Sequence, residues 1–238
     1  MTPRPTIVLV HGAFSDASAW DAVTEGLQAS GHTVIAPAIP LRGLGTDAAY
    51  LHSVLEAITG PVVVVGHAYG GAVLTNAVAP HHDVTALVYI SAYAPDEADT
   101  VGDLTTMHPG SMLGPDNLVI RPHPGGSDGY IDPSRFREIF AADIDPDTAA
   151  VMAASQRPVD LGILSEPSGP PAWKAIRAWY VVATEDNVIP PATQRFMARR
   201  GAATTVEVRS SHVVMMSHPA PVVDVILEAA AHDVVPTG

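Results

Sequence analysis

The sequence contains no cysteine, so disulfide bonds and thiolate metal sites are excluded. Basic residues are scarce: 12 Lys and Arg face 25 Asp and Glu, for a formal charge of −13. Such a surface repels phosphate backbones and anionic membranes, so neither nucleic acid nor a membrane is an expected partner. The acidity is read chiefly as a device for solubility. No apolar run approaches the length of a membrane span. The chain starts Met1-Thr-Pro-Arg-Pro and passes through a five-residue apolar strand to His11-Gly12. That reads as neither a signal peptide nor an anchor, and the expected location is cytoplasmic.

Apolar residues make up 47% of the 238 and charged residues only 16%, enough for a substantial core and unlike a disordered chain. The length allows one large domain or two small ones. Thr6–Val10, His32–Ala36, Val62–Val65, Thr85–Ile90, Ala178–Ala183 and Thr205–Val208 read as strands. Between the early ones, about Ser18–Ser30, Asp47–Ile58 and Ala72–Val78 read as helices, with Gly31 and Gly60 as stops. In the second of these, Tyr50, Leu51, Val54, Leu55 and Ile58 form the expected apolar stripe. Four consecutive valines, Val62–Val65, predict a strand covered on both faces in the middle of a parallel sheet. The alternation predicts an α/β fold with a mostly parallel central sheet flanked by helices.

From about residue 93 to 172 this rhythm breaks into a stretch rich in Pro, Gly and Asp, with helical pieces at Pro133–Ala141 and Pro146–Ala154. It reads as a lid inserted into a single domain whose core is about 1–92 and 173–238. Met107, Met112, Leu113, Ile139, Phe140 and Met152 offer it an apolar wall. Its cations Arg121, His123, Arg135 and Arg137 read as solvated or paired with acids.

Gly66-His67-Ala68-Tyr69-Gly70-Gly71 lies where a buried strand turns sharply into a helix. Small residues two before and two after the centre allow that turn and leave the central side chain exposed, which is the form of a nucleophile elbow. The centre here is Ala68, without a nucleophile. A glycine-rich turn also suits a phosphate, but neither a Walker A lysine nor a G-x-G-x-x-G with its later acid is present. After the first strand, His11-Gly12-Ala13-Phe14 forms a loop able to face the elbow. An oxyanion hole needs two N–H donors there, which the amides of Ala13 and Tyr69 would supply. His11, Gly12, Phe14 and His67 flank those amides and are the expected substrate contacts. Late in the chain, Asp186 follows one strand and His212 the last, the order in which this chemistry places an acid and a base. Glu185 is the rival acid, and His218 reads as a helix-entry residue before Pro219. His81-His82 are adjacent and poorly spaced for two ligands on one helix face. No metal and no cofactor are expected.

With Val8-Leu-Val-His-Gly-Ala13, Val65-Gly-His-Ala-Tyr-Gly-Gly-Ala72, Tyr93-Ala-Pro-Asp-Glu97, Ala183-Thr-Glu-Asp186 and Ser211-His212, the chain resembles the α/β-hydrolase superfamily. In particular it is similar to the group of small bacterial carboxylesterases, methyl-salicylate esterases and hydroxynitrile lyases. The resemblance implies Asp186 as acid, His212 as base, and residue 68 as the nucleophile's place, with a small apolar ester or lactone as substrate. Three readings of Ala68 stay open. It replaces serine in an otherwise complete esterase, the reading that best accounts for the surviving glycines, loop, acid and base. Alternatively, His212 and Asp186 perform base chemistry without a covalent step, as in a lyase, isomerase or cyclase, or the protein binds a small ligand without catalysis. Oligomeric state is not legible in the sequence.

Overall fold

A computed structural model describes residues 4–79, 83–124 and 126–232; the His81-His82 pair lies outside them. In chain order the strands are β1 (Thr6–Val10), β2 (Val34–Ile35), β3 (Val62–His67), β4 (Val84–Ile90), β5 (Leu118–His123), β6 (Gly126–Ile131), β7 (Val159–Asp160), β8 (Ala178–Ala183) and β9 (Thr204–Val208). The helices are α1 (Asp21–Ala29), α2 (Leu44–Glu56), α3 (Tyr69–Ala77), α4 (Val101–Thr106), α5 (Phe136–Phe140), α6 (Pro146–Ser155), α7 (Pro191–Arg200), α8 (Val214–Ser217) and α9 (Pro219–Ala231).

Six strands form one sheet in the order β2-β1-β3-β4-β8-β9, every pair parallel. This is the expected α/β fold. The four valines of β3 are buried on both faces, and so is the whole of β8. Helices supply that cover: α9 packs on β3, β4 and β8 with α1 beside it, while α3 packs on β1 and β3 with α2 beside it. The chain leaves β1 toward β2 and then crosses to β3 on the other side. That reversal opens a crevice at the carboxyl ends of β1 and β3, where ligands of open α/β sheets bind.

Several expected boundaries shift. The first helix is split: a 3₁₀ turn at Ala17–Trp20, capped by Asp16, precedes α1. Helix α2 begins earlier, at Leu44 behind Gly43, and Tyr50 is 39% exposed rather than part of the apolar stripe. The strand expected at 32–36 shortens to two residues, and α3 starts directly after Ala68. Gly31 ends α1 at φ +82°, as its position suggested.

The larger correction lies between β4 and β8. Besides α5 and α6, this insertion carries a separate antiparallel sheet, β5-β6-β7, absent from the sequence-based reading. The cause is compositional. Strand β6 begins Gly126-Ser-Asp-Gly129, a poor intrinsic strand former, and is held by six paired residues across β5. The insertion is braced to the core by an Arg42–Asp128 ion pair and by Glu166, which accepts from the Gly45 amide at the start of α2 at 3.0 Å. Of its cations, Arg121 lies over the Tyr130 ring, Arg135 pairs with Glu138, and Arg137 donates to the Ile144 carbonyl.

Candidate active site

The elbow follows from what its glycines permit. A Cβ on Gly70 would lie 2.4 Å from the Val10 carbonyl oxygen, and one on Gly66 would lie 2.7 Å from the Gly70 backbone. Only hydrogen at both positions lets β3 turn into α3 this close to β1. Ala68 is left at φ +49°, ψ −121°, a conformation that costs an L-residue of order 1–3 kcal/mol. The neighbourhood enforces it: the Ala68 carbonyl accepts from the Gly71 amide at 3.1 Å and the Tyr93 amide at 3.0 Å. Phe14 and Ser91 also have positive φ, at +60° and +44°. The three follow β1, β3 and β4, neighbours in the sheet, and two of them, Phe14 and Ala68, line one cavity.

That cavity holds about 30 Å³ of free space and is walled almost wholly by apolar atoms. Ala68, Ala13, Tyr69, Phe14 and His212 all line it, joined by Tyr93, Phe140 and residues of the insertion. Tyr69 opens α3, so its amide has no acceptor within the helix. The sequence thus places both expected oxyanion donors beside residue 68.

The acid and base meet below. His212 Nδ1 donates to Asp186 Oδ2 at 2.7 Å, with both side chains essentially excluded from water. The carboxylate is fully engaged. Its Oδ1 accepts from the Val188 and Ile189 amides at 2.7 and 3.0 Å, and Oδ2 also accepts from Gln194 Nε2 at 2.7 Å. A carboxylate with four donors is held in one orientation and in turn fixes the histidine ring. With Nδ1 carrying the proton, Nε2 presents a lone pair, and among the described residues that atom is buried without a partner. Glu185 faces away, paired with Arg209 at the surface.

Gln194 was not anticipated. It ties α7 to Asp186, to the Ile189 carbonyl and to the Ala183 amide. Its only sequence signal is an amide at a buried helix position. Asp143, in the insertion, was also missed. It accepts from the Ser211 amide at 3.1 Å, from Ser210 Oγ at 3.0 Å and from Ser211 Oγ, gripping the residues just before His212. Burial alone would raise its pKa, but these hydrogen bonds outweigh burial and lower it.

Three expected substrate contacts sit elsewhere. Neither His11, Gly12 nor His67 is on the cavity wall. His67 Nε2 donates to the His212 carbonyl at 3.0 Å, and burial, with the nearby His212, pushes its pKa well below the usual value. It is a neutral prop for the base. His11 accepts from the Ile39 amide through Nε2 at 2.9 Å, and burial lowers its pKa too. Gly12 lets two loops close: a Cβ there would lie 2.8 Å from the Ala68 Cβ. The apolar wall expected of the insertion is partly right. Leu113 and Phe140 line the cavity, whereas Met107 is 41% exposed and Met152 faces a separate pocket with Met216.

Beside the elbow, Tyr69 Oη donates to Asp47 Oδ2 at 2.8 Å, deep under α2. Burial raises the Asp47 carboxyl above its ordinary range, and burial followed by the Asp47 charge raises the Tyr69 phenol. Among the described residues, no group of three or more His, Cys, Asp or Glu is placed to hold a metal ion. Among them too, no helix is long and apolar enough to cross a membrane.

Comparison with known proteins bears on this arrangement. The profile of the alpha/beta hydrolase family matches residues 7–225. A pyrethroid hydrolase from Sphingobium wenxiniae is 29% identical, over 94% of this chain and 87% of that protein. Among solved structures, polyneuridine aldehyde esterase superposes with a TM-score of 0.80 at 21% identity, covering 95% of this chain and 99% of that one. A serine-to-alanine variant of a pyrethroid hydrolase superposes with a TM-score of 0.77 at 25% identity, covering 96% and 98%.

Proposed function

Starting from the fact that the chain belongs to the alpha/beta hydrolase family, we propose that its cavity is a carboxylesterase site for uncharged, apolar esters or lactones, with Ala68 standing where a serine nucleophile belongs. The observation that carries this reading is the unpartnered Nε2 of His212, buried and opening on the same cavity as the strained elbow. The esterases and hydrolases among its relatives support the reaction class.

With serine at 68, the chemistry runs as follows. His212 Nε2 takes the hydroxyl proton as the oxygen bonds to the ester carbon. The Ala13 and Tyr69 amides hold the resulting oxyanion. As the C–O bond to the alcohol breaks, His212 returns the proton to the leaving oxygen. A water, activated by the same nitrogen, then attacks the acyl-enzyme and releases the acid. Asp186 holds the ring in place and stabilises the imidazolium. With alanine at 68, no acyl-enzyme forms, and the site binds an ester without cleaving it.

The test is hydrolysis of a panel of activated esters by the chain as given, by Ala68→Ser, and by Ala68→Ser/His212→Ala. The esterase reading expects activity only in Ala68→Ser. A folded but inert Ala68→Ser variant contradicts it.

A second reading rests on the same dyad, which is complete without the hydroxyl. His212 can abstract a proton from a carbon acid while the two amides stabilise an enolate or alkoxide. It expects the unaltered chain to turn over a non-ester substrate, with that turnover lost in His212→Ala.

A further inference from the structure

Outside the cavity at Ala68 lies a second, larger chamber of about 330 Å³, within the size range of small-molecule sites. The two are neighbours with common walls: Leu113, Leu118, Leu161 and Leu164 line both. The outer chamber is bounded toward solvent by Thr106 and by Ile120, which is 49% exposed on β5. Among the described residues its lining includes no charged side chain, and the polar side chains lining the inner cavity are those of Tyr69, Tyr93 and His212. The inner cavity, at about 30 Å³, has room for roughly two waters, or a group of that size. Most of an ester larger than an acetate of a short alcohol therefore has to lie somewhere else.

We propose that the outer chamber is the subsite for an extended apolar chain of the substrate, and that Gly114 and Ile120 set the length of chain accepted. The chain passes the four shared leucines and leaves the carbonyl at residue 68 with only a small group in the inner cavity. Two details select these residues. Gly114 lines the outer chamber, has extended backbone at φ −152°, and a Cβ added to it meets no atom within 4 Å. A large side chain there enters open space without backbone strain. Ile120 is a large apolar residue held half in solvent at the chamber wall, where covering it by a ligand regains the hydrophobic stabilisation its exposure forgoes. Burial of a methylene changes binding by about fourfold, so selectivity should climb steeply with chain length and then stop when the chamber is full.

The placement of the carbonyl rests on the esterase reading; the occupancy of the outer chamber does not. The experiment separates them. In the Ala68→Ser background, kcat/KM is measured for an acyl series (ethyl acetate, butyrate, octanoate) and an alcohol series (ethyl, butyl, octyl acetate). The same is done with Gly114→Trp and, separately, Ile120→Glu added. Chain-length preference in either series, with the long-to-short ratio falling about tenfold or more in both added variants, supports the proposal and tells which half of the ester lies outside. An unchanged ratio in both series overturns it. In parallel, calorimetry follows octyl acetate and ethyl acetate binding to the unaltered Ala68 chain, which does not consume them. If Ala68→Ser hydrolyses nothing, the esterase reading fails, yet preferential octyl acetate binding lost in Gly114→Trp and Ile120→Glu still upholds the chamber. Equal binding of the two acetates removes it.

Discussion

Below the cavity, His212, Asp186 and Gln194 form a buried polar network in which nearly every donor and acceptor is matched, and His212 Nε2 has no partner among the described residues. Above it, the insertion contributes Leu113, Leu118, Leu161 and Leu164, side chains that offer no hydrogen bond at all. The floor comes from parallel strand ends whose geometry is fixed by backbone contacts a single Cβ would break. The roof comes from an antiparallel sheet and short helices with few such constraints. A hydrogen-bonded network is intolerant of change because an unmatched buried polar group costs about 1–3 kcal/mol, whereas an apolar wall repacks. On the proposed esterase reading, chemistry lies in the floor and selectivity in the roof. Floor variants should affect all esters alike; roof variants should reorder them.

The sharpest break is expected from His212→Ala in the Ala68→Ser background. Loss of the base should lower kcat by about four to six orders of magnitude for every ester, without changing their ranking. Measured kcat ratios across the panel check both parts. Next comes Gly70→Ala. The new methyl meets the Val10 and His11 carbonyl oxygens, which belong to fixed backbone, so the fold should lose about 3 kcal/mol or more. Chemical denaturation reads this directly, and a loss under 1 kcal/mol would show that the floor is softer than its contacts suggest.

Asp143→Ala probes the seam between the two regions, since Asp143 belongs to the insertion yet grips Ser210 and Ser211. In the Ala68→Ser background, with the loop before His212 loosened, kcat should fall roughly tenfold with KM little changed. A rise in KM alone would assign Asp143 to the roof. The smallest effect is expected from Asp47→Asn. Burial raises the Asp47 pKa in the fold, so the stability it contributes is full below its unfolded value and is lost as pH rises through the raised folded value. Asn carries no such penalty. The stability of Asp47→Asn relative to the parent should therefore improve as pH rises from about 4 toward neutrality. Denaturation curves at several pH values test the sign.

The same contrast explains what could be read from the sequence. The elbow was legible because its glycines are the only residues that fit between β3 and β1, and the central strand because four valines in a row suit only a covered sheet. Asp186 and His212 were legible by their places after late strands. His67 misled. It sits inside the motif, but its ring turns inward to the His212 carbonyl, a direction that spacing does not encode. Gln194 and Asp143 were invisible because a buried amide or acid gives no periodic signal; each is recognisable only once the loop it holds is in place. The β5-β6-β7 sheet was hidden because cross-strand pairing, not local propensity, makes a strand of Gly126–Ile131.

The central claim is that the floor is a serine-hydrolase site lacking one oxygen atom. The most direct measurement is mass spectrometry after exposure to a fluorophosphonate, which phosphonylates an activated serine with loss of fluoride. The account predicts one adduct on Ala68→Ser, located at residue 68, and none on the unaltered chain or on Ala68→Ser/His212→Ala. A folded Ala68→Ser protein that stays unlabelled, or a label at any other residue, would contradict it.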